Sequence, residues 1–213
     1  MKKIFLLLLL VPFFSFANFY EGTIKFTNGS TLKGLVFIPT VTDKTVFYKP
    51  SENVITVKYD INKIDQIEFY IKEENRTLIY VASLYYEISM MGKFKGLTKS
   101  KIWLELIYDG KLKIYKTGVE GHKFHTNTGA MKIGSADTFI GYYFKLPNSD
   151  NPQKIVQQQV GSLAPGQFLL LKMYLGRYLK EDCPTLVELL EKKEFKEKGY
   201  TLIGELYDQN CGK

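Results

Sequence analysis

Arginine is almost missing from this chain: of 29 basic residues, Arg76 and Arg177 are the only two arginines and the rest are lysine. Bidentate readout of phosphates and base edges relies on the planar guanidinium fork, which an ammonium group cannot reproduce. The lysines also stand singly between apolar residues, as Lys25, Lys33, Lys49, Lys58 and Lys72 do. A nucleic-acid partner is therefore excluded despite a formal net charge of +7. A weak attraction to an anionic envelope surface, a peripheral membrane contact at most, is what that charge allows. Cysteine is as scarce, with Cys183 and Cys211 alone and spaced nothing like Cys-x-x-Cys. That excludes thiol redox catalysis. Trp103 is the one tryptophan, thin support for a carbohydrate platform. Beyond the first 17 residues no apolar run approaches the ~20 residues a transmembrane helix needs. Residues 163–175 come nearest, and Pro165, Gly166, Gln167 and Lys172 interrupt them.

The first 17 residues have the order of a secretory signal peptide. Lys2 and Lys3 supply the positive start, residues 4–14 an unbroken apolar run, and Ser15-Phe16-Ala17 the small-x-small close. Cleavage is expected between Ala17 and Asn18. An uncleaved anchor is the alternative, and eleven apolar residues are too few for roughly 30 Å of hydrocarbon. No cysteine follows the run, so no lipid-attachment site is expected. The mature chain then has 213 − 17 = 196 residues and a formal charge of (29 − 2) − 22 = +5. Export excludes cytosolic metabolism, gene regulation and work fuelled by cytosolic ATP. In an oxidising compartment an even cysteine count favours a Cys183–Cys211 disulfide over two buried free thiols.

Period-two alternation dominates residues 20–71. Ile24 and Phe26 alternate with Thr23, Lys25 and Thr27, and Asn28-Gly29 follows as a hairpin signal whose two residues both accept positive φ. Short strands are expected over 32–38, 46–48, 54–59 and 67–71, with a single helical turn at 60–64. Five strands with one late turn predict a small, strongly bent sheet of the SH3-like kind. Residues 78–146 continue in strands, with a second hairpin turning at Asp109-Gly110 and a long loop over 118–137. Pro147 and Pro152 bracket a polar break, after which residues 153–160 read as a short helix or an extended connector. Phe168, Leu171, Leu175 and Tyr178 then mark one helical face. Asp182 is placed to cap a following helix with Pro184 in its first turn, Gly199 to end it, and Ile203, Leu206 and Tyr207 to carry another. The fold class is α+β: an N-terminal antiparallel β-rich body with a C-terminal helical tail. The layout is signal peptide 1–17, body 18–146 (a barrel-like unit 18–71 and a second β unit 72–146), linker 147–166 and tail 167–213.

Three sets of residues carry a resemblance. They are Gly22-Thr23-Ile24 through Asn28-Gly29 to Lys33-Gly34, the hairpin from Trp103-Leu104-Glu105-Leu106 to Leu112-Lys113-Ile114-Tyr115, and a tail of two parts. That tail runs Tyr178-Leu179-Lys180-Glu181-Asp182-Cys183-Pro184, with Glu194-Phe195-Lys196 and residues 207–211 after it. Together they resemble a family of uncharacterised exported proteins of Gram-negative bacteria. The resemblance implies a signal peptide, a β-rich body and a helical tail beginning at Asp-Cys-Pro. It brings no activity, ligand or catalytic residue with it.

Chemistry is sparsely signalled. His122 and His125 could ligate zinc, with Glu120 and Asp137 nearest in sequence, but a catalytic site needs a third ligand and an open position. Gly134-Ser135-Ala136 and Gly161-Ser162-Leu163 lack the nucleophile-elbow frame. No phosphate-cradling glycine loop occurs. The carboxylate clusters Asp60/Asp65/Glu68 and Glu181/Asp182 read as a wet strand face and a helix start rather than as a glycosidase pair. Tyr85-Tyr86 and Tyr142-Tyr143 put one ring on each face of their strands, as sheet filler or as stacking surface. No cofactor is implied. The expected function is a non-enzymatic binding module of the cell envelope, its partner an envelope protein or a glycan. A periplasmic hydrolase with its site in the 118–137 loop is the alternative.

Overall fold

The computed structural model describes residues 19–88, 94–117, 139–159 and 166–211. The Ala17/Asn18 cleavage site and the 118–137 loop with both histidines lie outside them. The fold is α+β. Four strands meander first: β1 (Phe19–Phe26), β2 (Thr31–Phe37), β3 (Thr45–Lys49) and β4 (Val57–Asp60). A 3-10 turn at Ile61–Lys63 leads into β5 (Ile64–Ile71), which returns to pair with β1. This is the strand order and late turn expected of the SH3-like unit. Asp60 makes the turn: its Oδ1 accepts the Asn62 amide at 2.7 Å. The alternating apolar residues close on a buried cluster that includes Ile24, Val36, Val46, Ile67 and Phe69.

Two details of the β1–β2 hairpin differ from expectation. Only Gly29 takes positive φ, at 84°, while Asn28 uses its side chain instead, its Oδ1 accepting the Ser30 amide at 3.0 Å. The loop thus spans more than the two-residue turn that Asn-Gly suggests. Gly34 answers to close approach. The Tyr48 ring lies over it and the Tyr48 hydroxyl donates to the Lys33 carbonyl at 2.9 Å, so a Cβ there would strike both the ring and the Lys49 carbonyl.

The sheet does not stop at residue 71. β5 pairs with β6 (Arg76–Ser83), and β6 with β9 (Ile102–Asp109). The order then runs β10 (Lys113–Lys116), β11 (Phe139–Lys145), β12 (Gln153–Gln159), β7 (Tyr86–Ile88) and β8 (Phe94–Leu97). The twelve strands among the described residues form one sheet, so the expected boundary between 18–71 and 72–146 interrupts no pairing. Trp103 of β9 shows the continuity from the side-chain level. Its ring is 1% exposed within the barrel cluster, and its Nε1 donates to the Asp43 carbonyl at 3.0 Å.

The expected linker 147–166 is corrected by β12. Residues 153–159 are an antiparallel strand on β11, and Ile155 is buried beneath the helices. Their polar composition hides this, because the strand is specified by its partner and not by its own alternation.

Four helices cover that end of the sheet: α1 (Gln167–Tyr178), α2 (Leu186–Leu189), α3 (Lys192–Lys198) and α4 (Thr201–Asn210). Leu171, Leu175, Leu179, Phe195 and Ile203 bury against Leu112, Ile114, Phe144 and Ile155. Asp182 does not cap α2. That helix begins at Leu186 after Thr185, and no side chain caps it. Leu190 and Glu191 then adopt extended backbone and divide the expected single helix into α2 and α3. Gly199, at φ 64°, ends α3 as expected. Cys183 and Cys211 form a disulfide with Cα atoms 5.4 Å apart.

Buried tyrosines in this cluster and in the one around Leu104 give the fold an alkaline limit. Burial pushes the Tyr115 hydroxyl up to about 12, with Asp109 and Asp65 adding to it. Burial, and then the bond to Asp208, takes Tyr108 to about 12 as well. Tyr143, Tyr178 and Tyr200 are raised further by burial. The unfolded chain therefore loses these protons first, so the stability they hold is intact below pH ~10 and is lost as pH rises through their folded values. Urea midpoints are expected to fall steadily between pH 9.5 and 12. A flat profile there would show that these hydroxyls titrate normally.

Candidate functional site

The structure disperses the sequence candidates that it describes. Asp60 caps the 3-10 turn, Asp65 pairs with Lys25 at 3.5 Å, and Glu68 accepts from Gln66 Nε2 at 2.8 Å. This is the wet strand face that the alternation implies. Tyr142, Tyr143 and Tyr85 pack against other rings. Tyr142 stacks on Tyr200 at 3.5 Å between ring centroids, and Tyr143 meets Tyr85 edge-on at 5.0 Å. Tyr142-Tyr143 is filler, as high β-propensity suggests, and offers no outward platform. Among the described residues no group of three or more His, Cys, Asp or Glu side chains could hold a metal ion. No helix among them is long and apolar enough to cross a membrane.

Glu181 and Asp182 are placed differently from expectation. They stand on the turn after α1, at the rim of a cleft of about 460 Å³ between α1 and β12. Tyr174, Tyr178, Arg177 and Lys180 share that rim. Both carboxylates are exposed, whereas a glycosidase acid is held protonated by an apolar pocket. Tyr178 is fixed from below, its hydroxyl donating to the Phe144 carbonyl at 3.0 Å. The cleft has mixed charge and no paired acid and base.

The outer face of the barrel carries a more ordered arrangement. Strand register aligns one residue from each of four neighbouring strands. Phe19 of β1 faces Phe37 of β2, and Phe47 of β3 faces Lys58 of β4. Phe37 and Phe47 meet edge-on at 6.3 Å and close the row Phe19–Phe37–Phe47–Lys58. Phe19 and Phe37 are also edge-on, at 5.9 Å. Two ammonium groups lie over the rings: Lys58 Nζ is 5.2 Å from the centroid of Phe47, and Lys49 Nζ 4.6 Å from that of Phe19. Such cation–π contacts hold the lysines down over apolar surface while leaving their charge in water.

The next row on the same face holds Glu21 and Leu35, a directly opposed pair, and the pairing then leads to Tyr70 and Thr77. Glu21 accepts from Lys72 Nζ at 2.7 Å. With residues 50–52 arching beside them, these side chains bound a shallow depression of about 580 Å³. The face thus offers half-buried rings, fixed cations and a groove, with the row of rings carried on strands. Sequence reasoning missed it because the three phenylalanines are far apart in the chain and only register assembles them.

No protein-family model matches this chain, and no curated protein or solved structure shows significant similarity to it.

Proposed function

We propose that this chain is an exported protein of the cell envelope that works by binding, and that its contact surface is the outer face of the barrel. The row Phe19–Phe37–Phe47–Lys58 carries this reading. Sheets are stabilised by cross-strand aromatic pairs, but that role alone is satisfied by rings facing a core. Here the rings face outward on rigid strands and are only partly covered, which suits anchors in an interface. The two lysines over them select an anionic or acidic counterpart. An envelope protein fits better than a glycan, since sugar platforms favour flat, open rings and these are edge-on to one another. The disulfide agrees with an oxidising compartment outside the cytosol. The hydrolase alternative depends on His122 and His125, which lie outside the described residues.

A photo-crosslinking side chain in place of Phe47, in cells exporting the chain, tests the proposal. A discrete adduct is expected in the envelope fraction on protein that begins at Asn18. The same probe at Lys196, on the exposed side of α3, should give none. No adduct at position 47, or equal labelling from both positions, would overturn the reading.

A further inference from the structure

The free edge of the sheet lies beside this row, and its backbone points to how a partner engages. β4 is the last strand at its end of the sheet, and among the described residues nothing pairs with its outer edge. Which residues face outward follows from one bond. The Ile61 amide donates to the Lys44 carbonyl at 2.8 Å, one step beyond the Thr45–Asp60 pair. In an antiparallel ladder the bonded positions alternate. Tyr59 and Val57 therefore turn their backbone groups to β3, while Asp60 and Lys58 turn theirs to solvent. Edges of this kind are templates for an incoming strand.

Side chains along β4 alternate: Val57 and Tyr59 are apolar on one face, and Lys58 and Asp60 carry charge on the other. Val57 is 41% exposed on the face that Tyr59 shares with the core, and Ile55, just before the strand, is 87% exposed. Lys58 lies on the opposite, outer face, over Phe47. The Asp60 carboxylate is turned back onto the Asn62 amide and so closes the edge at that end.

We infer that β4 accepts an extended segment of a partner protein as an added edge strand, with an apolar–acidic–apolar sequence at its centre. The acidic residue sits opposite Lys58 on the outer face, and the flanking apolar residues cover Val57 and Tyr59 on the other. Main-chain bonds to Lys58 supply the attraction, and the alternation supplies the selectivity. This deepens the binding reading above and rests on it.

The test uses the mature chain and a capped synthetic heptapeptide, Ser-Thr-Val-Glu-Val-Thr-Ser, against a counterpart with lysine in place of glutamate. Amide hydrogen exchange read by NMR is expected to slow at least about tenfold at Lys58 with the glutamate peptide, and the lysine peptide to bind about tenfold more weakly. Lys58→Pro removes the outward N–H at a position where an edge strand tolerates proline, and should abolish binding. Lys58→Glu keeps the N–H and should invert the preference between the peptides, which guards against misfolding of the proline variant. Three results would overturn the inference. They are no protection at Lys58 with millimolar peptide, equal binding of both peptides, and protection that rises with protein concentration alone, which would make a second copy of this chain the occupant. An adduct at position 47 without peptide binding would leave the binding reading standing and strand addition refuted.

Discussion

Replacing both Cys183 and Cys211 with serine is expected to lower the free energy of unfolding by about 2–5 kcal/mol. The bond closes a sequence separation of 28 residues, for which loop-closure entropy alone gives about 3–4 kcal/mol. Packing adds to that. Cys183 is 1% exposed inside the helical cluster, so a serine hydroxyl there is buried among leucines and aromatic rings. The sequence by itself suggests that the loss falls on residues 201–210, which look poorly anchored. The structure changes that expectation. Leu202, Ile203 and Tyr207 of α4 are buried, and Gly204 lets the helix settle against the Tyr108 ring. Asp208 accepts from the Tyr108 hydroxyl at 2.9 Å and from the Lys111 amide at 3.0 Å, which pins α4 to the tip of the β9–β10 hairpin. The destabilisation should therefore be global, with local fraying confined to the last turn. Urea unfolding with native-state hydrogen exchange checks this. If α4 amides alone lose protection while β9–β11 keep theirs, the anchoring described here is wrong. Exported protein denatured without reductant should show no reactive thiol.

What could be read in advance follows a physical line. Hairpins were legible because alternation and turn chemistry are local: Ile24 and Phe26 before Asn28-Gly29, and Leu104 and Leu106 before Asp109-Gly110, declare strand faces without help from the rest of the chain. The α+β class followed from the change of period after Leu146. Features set by register or by tertiary partners were not legible. Gln153–Gln159 carries a single buried apolar residue, Ile155, and becomes a strand because β11 presents a free edge under α1. Asp182 and Pro184 have the composition of a helix start, yet the turn they occupy is held by the Cys183 amide bonding to the Leu179 carbonyl and by the disulfide. The candidate site fared worst of all. Phe19, Phe37 and Phe47 are unremarkable where they stand in the sequence, and they become one row only once β1, β2 and β3 are in register.

Trp103→Ala is expected to cost about 3–5 kcal/mol, the range for removing a large buried aromatic side chain. Its placement makes the consequence larger than a local cavity. The residue belongs to β9, in the middle of the sheet, but its ring fills the barrel cluster, where Tyr80 and Ala82 of β6 also point. Its own amide donates to the Val41 carbonyl at 3.1 Å, and its Nε1 to the Asp43 carbonyl. The loop before β3 is thereby tied to β9, a strand of the second half of the body. Alanine keeps the backbone bond and loses both the ring and the Nε1 bond. Phenylalanine restores much of the volume and loses the Nε1 bond, so it should recover most of the stability and leave a deficit of about 1 kcal/mol. If the twelve strands are one cooperative unit, hydrogen exchange in β2 and in β11 will report the same reduced free energy in the alanine variant. Should β11 and the helices keep their original protection while β2 loses its own, then residues 18–71 fold independently, and the shared sheet joins two domains rather than building one.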